Sequence, residues 1–161
     1  MYYDVYTDGS YKDYGSLGAF YSGAATINPV GEPDRIAILT KVSNDELIAM
    51  RNVAGEIIAA MMAFEHCLNV LKLKQEDTVV MHYDYVGIEN WTKRKGEPGY
   101  WRSKNKTTQA YRNYVNSIVK PRFRIEWKHT PGHTGDPGNE RVDYLAGIAI
   151  EQHVKELMEH K

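Results

Sequence analysis

The stretch at residues 51–71, Arg-Asn-Val-Ala-Gly-Glu-Ile-Ile-Ala-Ala-Met-Met-Ala-Phe-Glu-His-Cys-Leu-Asn-Val-Leu, most constrains what this chain can fold into. Apolar side chains recur at Ile57, Met61, Phe64, Leu68 and Leu71. Those steps of four, three, four and three trace one face of a 3.6-residue period, so the spacing predicts a helix with a face broad enough to cover one side of a sheet. Ala59, Ala60 and Ala63 favour the helix and permit close packing. Glu56 stands one position before the face begins, at the margin of the buried surface. A carboxylate there is either a first-turn residue favoured by the helix dipole or a functional acid. The helix alone leaves both readings open.

The rest of the chain supplies strands for that helix to cover. A strand at residues 2–8, rich in Tyr and Val, runs into Asp8-Gly9-Ser10, and residues 14–18 make a glycine-rich turn. Two further strands are predicted at 17–27 and 35–42, joined by a connection rich in Pro and Gly, which suggests an antiparallel meander. The core helix is expected at 52–73, a short apolar strand at 78–83 ending in Asp84, and a short helix within 85–92. A polar linker leads to a helix at 107–119, a fifth strand at 123–128, a loop at 129–139 and a last helix from about Glu140. This order implies an α/β fold with a five-stranded mixed sheet, three antiparallel strands and then two parallel ones, flanked by helices. With 161 residues and no repeat or linker of domain size, one domain over 1–161 is expected.

Composition narrows the setting. The single cysteine, Cys67, excludes a disulfide framework and a cysteine-rich zinc site. No stretch reaches the ~18 apolar residues of a membrane span and no leader pattern opens the chain, so no membrane partner and a cytoplasmic location are expected. The net charge of −1 hides an asymmetry. Residues 93–128 hold eleven Lys and Arg against two acids, with Tyr and Trp interleaved. Such a stretch suits a phosphate backbone with stackable bases, or else a solvated helix face in an acidic protein.

Four carboxylates fall at the ends of predicted elements: Asp8 after the first strand, Glu56 at the start of the core helix, Asp84 after the fourth strand and Asp143 in the first turn of the last helix. In mixed sheets, sites form where strands and helices end at one edge. Four acids brought together repel, and their protonated forms gain. A hard divalent cation such as Mg²⁺ resolves the conflict because it prefers oxygen ligands and shares its shell with phosphate and water. A pair of such ions would serve phosphoryl transfer.

The motifs Thr7-Asp8-Gly9-Ser10, Ala54-Gly55-Glu56-Ile57 and Tyr83-Asp84-Tyr85 are followed by Gly132-His133-Thr134-Gly135 and by residues 139–146, Asn-Glu-Arg-Val-Asp-Tyr-Leu-Ala. In that order they resemble ribonuclease H of type 1 over essentially the whole chain. The resemblance implies the ribonuclease H-like fold and cleavage of RNA within an RNA–DNA hybrid by a two-metal-ion mechanism, leaving 5′-phosphate and 3′-hydroxyl ends. It implies Asp8, Glu56, Asp84 and Asp143 as ligands of two Mg²⁺ ions, with Mn²⁺ as a substitute, Glu140 as an aid to metal and water, and His133 on a mobile loop. Asn52 and Ser10 match positions near the nucleic acid, and Trp91 is a weaker match to aromatics along the DNA strand. Arg94, Lys95, Lys104 and Lys106 are the basic residues expected to meet phosphates, and a monomer is expected. Val53-Ala54-Gly55 stands where the family usually carries Asn-Arg before the Glu, so the minor-groove contacts are expected to differ. The run at residues 85–91 looks like a bacterial subgroup that often carries an N-terminal hybrid-binding domain, which this chain is expected to lack.

His66 and His82 are read as structural residues of the core helix and fourth strand, and His153 and His160 lack a third ligand for zinc. Ser10 has no base partner in sequence, which argues against serine nucleophile chemistry. Two competing functions remain: a resolvase- or integrase-like enzyme of the same fold acting on DNA, and a non-catalytic hybrid-binding module. The close match of the final loop argues against the first, and the presence of all four carboxylates against the second.

Overall fold

The computed structural model describes residues 1–132 and 134–160. Five strands form one sheet: β1 (Tyr2–Asp13), β2 (Ala19–Pro29), β3 (Ala37–Ser43), β4 (Thr78–Tyr83) and β5 (Arg124–His129). Their order is β3-β2-β1-β4-β5, antiparallel among the first three and parallel from β1 to β5. The helices are α1 (Asn52–Asn69), α2 (Gly87–Asn90), α3 (Lys106–Tyr114) and α4 (Pro137–Glu159), with a π-helical continuation of α3 at Val115–Val119.

β4 matches its sequence boundaries, since a short apolar run bounded by turn residues leaves little choice. β1 does not end at Asp8. It continues to Asp13 because β2 goes on pairing with it as far as Asp13 opposite Ala19, across the Gly-Ser that reads as a stop in sequence. α1 ends at Asn69 rather than 73: the Val70 and Leu71 amides both bond the His66 carbonyl, and Leu73 N–H reaches the Cys67 carbonyl past Lys72 at φ 53°. α4 begins at Pro137, with Asp136 as a cap accepting from Asn139 N–H at 3.0 Å. Proline at the first helical position after an aspartate cap is a favoured start. Asp143 therefore lies in the second turn, not the first.

The main core lies between one face of the sheet and α1, with Val5, Ala25, Ile27, Ile57, Phe64, Val79 and Met81 all buried. Met61 and Leu71 pack at its edge, and the residues nearest the strands are the small ones of α1. A β-carbon placed on Gly55 would stand 2.1 Å from the Ser22 carbonyl oxygen and 2.9 Å from Gly9 Cα. One on Gly9 would stand 2.4 Å from Glu56 N, and one on Gly23 2.7 Å from Ala59 N. At Gly55 and Gly9 backbone lies on backbone, and at Gly23 the Ile58 side chain stands as near as the Ala59 backbone. The opposite face takes α4, whose Val142 and Ala146 pack on Ala24, while Ser22 Oγ donates to the Ala146 carbonyl at 2.6 Å.

Gly55→Ala should therefore cost about 3 kcal/mol or more, at or beyond the upper range of overpacking, because fixed backbone must move. Gly147→Ala, with nothing within 4 Å of the added carbon, should instead gain up to about 1 kcal/mol from helix propensity. Urea midpoints of the two variants measure the contrast.

Candidate active site

The site forms where β4 stops and β1 does not. β1 and β4 pair with Tyr6 opposite His82, so two residues on Asp8 and Asp84 stand at the same level of the sheet. β4 has ended by then, and the side of β1 it leaves vacant is open to α1. Gly9 N–H turns into this gap and donates to Asp8 Oδ1 at 2.9 Å and Glu56 Oε1 at 3.1 Å. Asp84 is held from the other side by Gly132 N–H, 2.9 Å from its Oδ1. Carboxylate oxygens of Asp8, Glu56 and Asp84 all lie within 4.8 Å of one another. Asp143 and Glu140, both exposed on α4, line a depression of about 30 Å³ together with Asp8, Asp84, Gly132 and Asn139. The volume is that of roughly one water molecule.

Asp8 and Glu56 are each 5% exposed. Burial pushes the Asp8 carboxyl up to about 6, and the nearby Asp143 adds to that; bonding to Glu56 and to Gly9 N–H pulls the other way. Glu56 is raised well above the usual carboxylate range, first by burial and then by the hydrogen bond and charge of Asp8. Its Oε2 is buried and finds no hydrogen-bond partner among the described residues. An orphaned anionic oxygen beside two further carboxylates is an unfavourable arrangement for the protein by itself. It is a fitting donor set for a hard divalent cation, and Asp8, Glu56 and Asp84 are the residues placed to hold one.

A sequence profile of the RNase H family matches residues 2–151. The chain belongs to the RNase H family. It is 31% identical over 155 residues to the ribonuclease H of Pseudomonas paraeruginosa and 30% to the ribonuclease HI of Pseudomonas aeruginosa, each alignment covering 91% of both chains. Among solved structures it is similar to LC11-RNase H1, determined in complex with an RNA/DNA hybrid, at TM-score 0.63 and 19% identity over 94% of this chain and 99% of that one. It is also similar to the N-terminal RNase H domain of a Mycobacterium tuberculosis protein, at TM-score 0.63 and 16% identity over 96% and 98%. Membership makes the chain an enzyme of the nuclease hydrolase class, and the type 1 RNase H fold is the fold observed.

Around this RNase H centre, the residues singled out in sequence separate into groups. Asp8, Glu56, Asp84, Asp143 and Glu140 converge. Asn52 is exposed at the first position of α1, and Ser10 is half-buried two residues beyond Asp8. Beside them opens a cleft of about 560 Å³ whose walls include Val53, Tyr85, Trp101, Arg102 and Lys104. Trp91 is 7% exposed, lies edge-on to Trp101 and Tyr111, and forms part of the wall of the same cleft. Arg94 is exposed but pairs with Glu97 at 3.5 Å, and Lys95 is exposed in the same turn. Lys106 lines a different groove, with Tyr21, Ile58 and Met61. Arg112 donates to the carbonyls of Trp91 and Lys93, both at 2.6 Å, and Lys120 to that of Thr92 at 3.1 Å. His133 lies outside the described residues.

Sequence reasoning missed Gly132 and Gly9 as donors to the carboxylates, and Asn139 as a buried wall of the depression. Gly132 carried a signal for this, since a glycine in a loop also marks close approach: a β-carbon there would stand 2.9 Å from Asp84 Oδ2.

Because the Asp8 carboxyl is raised on folding, the stability it contributes is complete below about pH 4 and lost as pH rises through about 6. Asp8→Asn, whose amide oxygen still accepts from Gly9 N–H, removes that loss. In chelator it should melt above the parent at pH 7, by at most about 3 kcal/mol, and the gap should close toward pH 4. A gap independent of pH would contradict the burial argument.

Proposed function

We propose that this RNase H is an endoribonuclease that hydrolyses the RNA strand of RNA–DNA hybrids, with two Mg²⁺ ions held by Asp8, Glu56, Asp84 and Asp143, and Mn²⁺ able to replace them. The observation that carries the reading is the orphaned Glu56 oxygen among three carboxylates within 4.8 Å. LC11-RNase H1, of the same fold, was determined with an RNA/DNA hybrid, and the ribonuclease H name of the Pseudomonas relatives agrees. Residues 1–161 act as one catalytic domain and as a monomer in the cytoplasm. Among the described residues no helix is long and apolar enough to cross a membrane.

Bound magnesium supplies charge neutralisation and Lewis-acid polarisation of the phosphodiester. The protein's own groups do the rest. Gly9 and Gly132 amides fix the Asp8, Glu56 and Asp84 oxygens before substrate arrives, so no reorganisation accompanies the reaction. Glu140 orients the attacking water from the rim of the depression. Water adds to phosphorus and the 3′-oxygen of the preceding nucleotide departs, taking up a proton, which leaves a 5′-phosphate and a 3′-hydroxyl. His133 handles that proton or assists product release, as an imidazole titrating near neutrality can. Ser10 and Asn52 meet the minor groove, where 2′-hydroxyls mark the RNA strand. Arg94, Lys95, Lys104 and Lys106 supply cations for phosphates, with Lys104 on the wall of the cleft beside the centre.

A hybrid with its RNA strand labelled should be cut in Mg²⁺ or Mn²⁺, and chelator should abolish the cutting. Asp84→Asn should abolish it too while leaving the protein folded, and full activity of that variant would sink the metal assignment. Duplex DNA, duplex RNA and single-stranded RNA should survive; comparable cutting of duplex DNA would point to a resolvase-like enzyme. Replacing Lys95 and Lys104 together should shallow the log-log salt dependence of hybrid binding by about 1–2 units. His133→Ala should slow turnover about 10²-fold with hybrid binding intact, and a parent-like rate would remove it from the site.

A further inference from the structure

The middle of α4 and its start are held to the sheet in different ways. In the middle, Val142 and Ala146 pack on Ala24, and Ser22 Oγ donates to the Ala146 carbonyl at 2.6 Å. The first turn, which carries Glu140 and leads to Asp143, lies against an aromatic ring of β1. A β-carbon on Gly138 would meet Cε2, Cζ and Cε1 of Tyr6 at once, the last at 2.6 Å. Near-equal approach to three adjacent ring atoms places the Gly138 backbone on the face of that ring. Backbone freedom is not what this glycine supplies, since it is absent from the glycines at positive φ. It supplies closeness.

The other face of the ring is taken by His82, which pairs with Tyr6 across β1 and β4. The two rings lie 4.0 Å apart between centres and 8° from parallel. His82 is 6% exposed, and its Nε2 donates to Asp4 Oδ1 at 2.9 Å. Its Nδ1 is buried and has no hydrogen-bond partner among the described residues. An apolar side chain, like those of Val79, Val80 and Met81 before it, would avoid that cost. What an imidazole offers in exchange is a flat plate that Asp4 holds in one orientation. The result is a stack of three layers: imidazole, phenol ring and helix backbone. Each layer lies two residues before an acid, His82 before Asp84, Tyr6 before Asp8 and Gly138 before Glu140. In the two strands a step of two keeps the same face of the sheet, so the stack stands one level below the carboxylates.

We propose that Asp4, His82 and Tyr6 form a positioning stack that spaces the first turn of α4 from β4, so that Asp143 and Glu140 complete the metal site. The inference rests on the metal reading above. Asp8, Glu56 and Asp84 do not need the stack, because the Gly9 and Gly132 amides already fix their oxygens within 4.8 Å of one another. Asp143 and Glu140 are exposed on α4, and their place over the depression follows from where that helix begins.

Calorimetric titration with Mg²⁺ or Mn²⁺, without substrate and at a temperature where every variant is folded, reads the effect apart from activity. Gly138→Ala removes nothing from the core. It adds a carbon against a ring that His82 keeps from retreating, so α4 must shift, and metal should bind about 10-fold more weakly, the lower end of what partners behind metal ligands contribute. Tyr6→Leu, which removes the plate, should do the same, whereas Tyr6→Phe keeps both ring faces and should bind metal as the parent does. In an Asp143→Asn background, where the three inner acids remain, Gly138→Ala and Tyr6→Leu should weaken binding no further, since the acid they act through is gone. Parent-like affinity in both variants, with only a lower melting temperature, would reduce the stack to packing and overturn this inference alone. A full further loss in the Asp143→Asn background would overturn it as well, and so would Tyr6→Phe binding as weakly as Tyr6→Leu. A parent that takes up neither ion would overturn the metal reading and this inference with it.

Discussion

The structure depends on a contact made almost entirely of backbone. The first turns of α1 lie on β1 and β2 at Gly55, Gly9 and Gly23, close enough that a single β-carbon would collide with backbone. Only at that separation does a glutamate in the second turn of α1 reach around β1 to the level of Asp8. A helix packed at the usual distance of ~10 Å from a sheet would leave Glu56 short of the aspartates. The other requirement is the unequal length of two neighbouring strands. β4 delivers Asp84 at its end, while β1, still paired with β2, carries Asp8 past that end and exposes the Gly9 amide. Helix approach and strand mismatch together create the opening that the carboxylates fill.

The protein tolerates a cost there. Buried acids whose protonated forms are favoured, Asp8 by burial and Glu56 by burial and then by Asp8, work against folding, and the orphaned Glu56 oxygen adds to that. The offset comes from elsewhere, chiefly the apolar sandwich of α1 on the sheet and the layer under α4. Local departures from good packing concentrated at a functional site, with the surrounding fold consistent at every level, are the expected pattern.

Much of this was legible because the chemistry is carried by residue type and chain order. The four carboxylates could be picked out, and α1 and β4 placed, from periodicity and apolar runs. What could not be read was anything set by a partner. β1 extends past Gly9-Ser10 because β2 is beside it, and no local signal reports that pairing. The closest face of α1 is the strip of Gly and Ala, whereas the apolar spacing pointed to Met61 and Leu71. Trp91 could be read in sequence as an aromatic among cations, but not that Trp101 and Tyr111 would stand edge-on to it and leave it 7% exposed in the cleft wall. The start of α4 was available in Asp136-Pro137 but was outweighed by the surrounding glycines.

The cations that clamp α2 bear on how such an enzyme can diversify. Arg112 and Lys120 hold the carbonyls of residues 91–93 from α3 and the turn beyond it. Their charge is committed to the protein, so the basic count of the segment overstates what faces solvent. The clamp also fastens the root of the turn at 94–104. Beyond that root the segment returns to the cleft, where Trp101 lies edge-on to Tyr85 and Trp91 and its N–H bonds the Asn90 carbonyl at 3.2 Å. Its length and aromatic content are therefore tied to the wall of the cleft, and a change in them would reach Tyr85, the chain neighbour of Asp84.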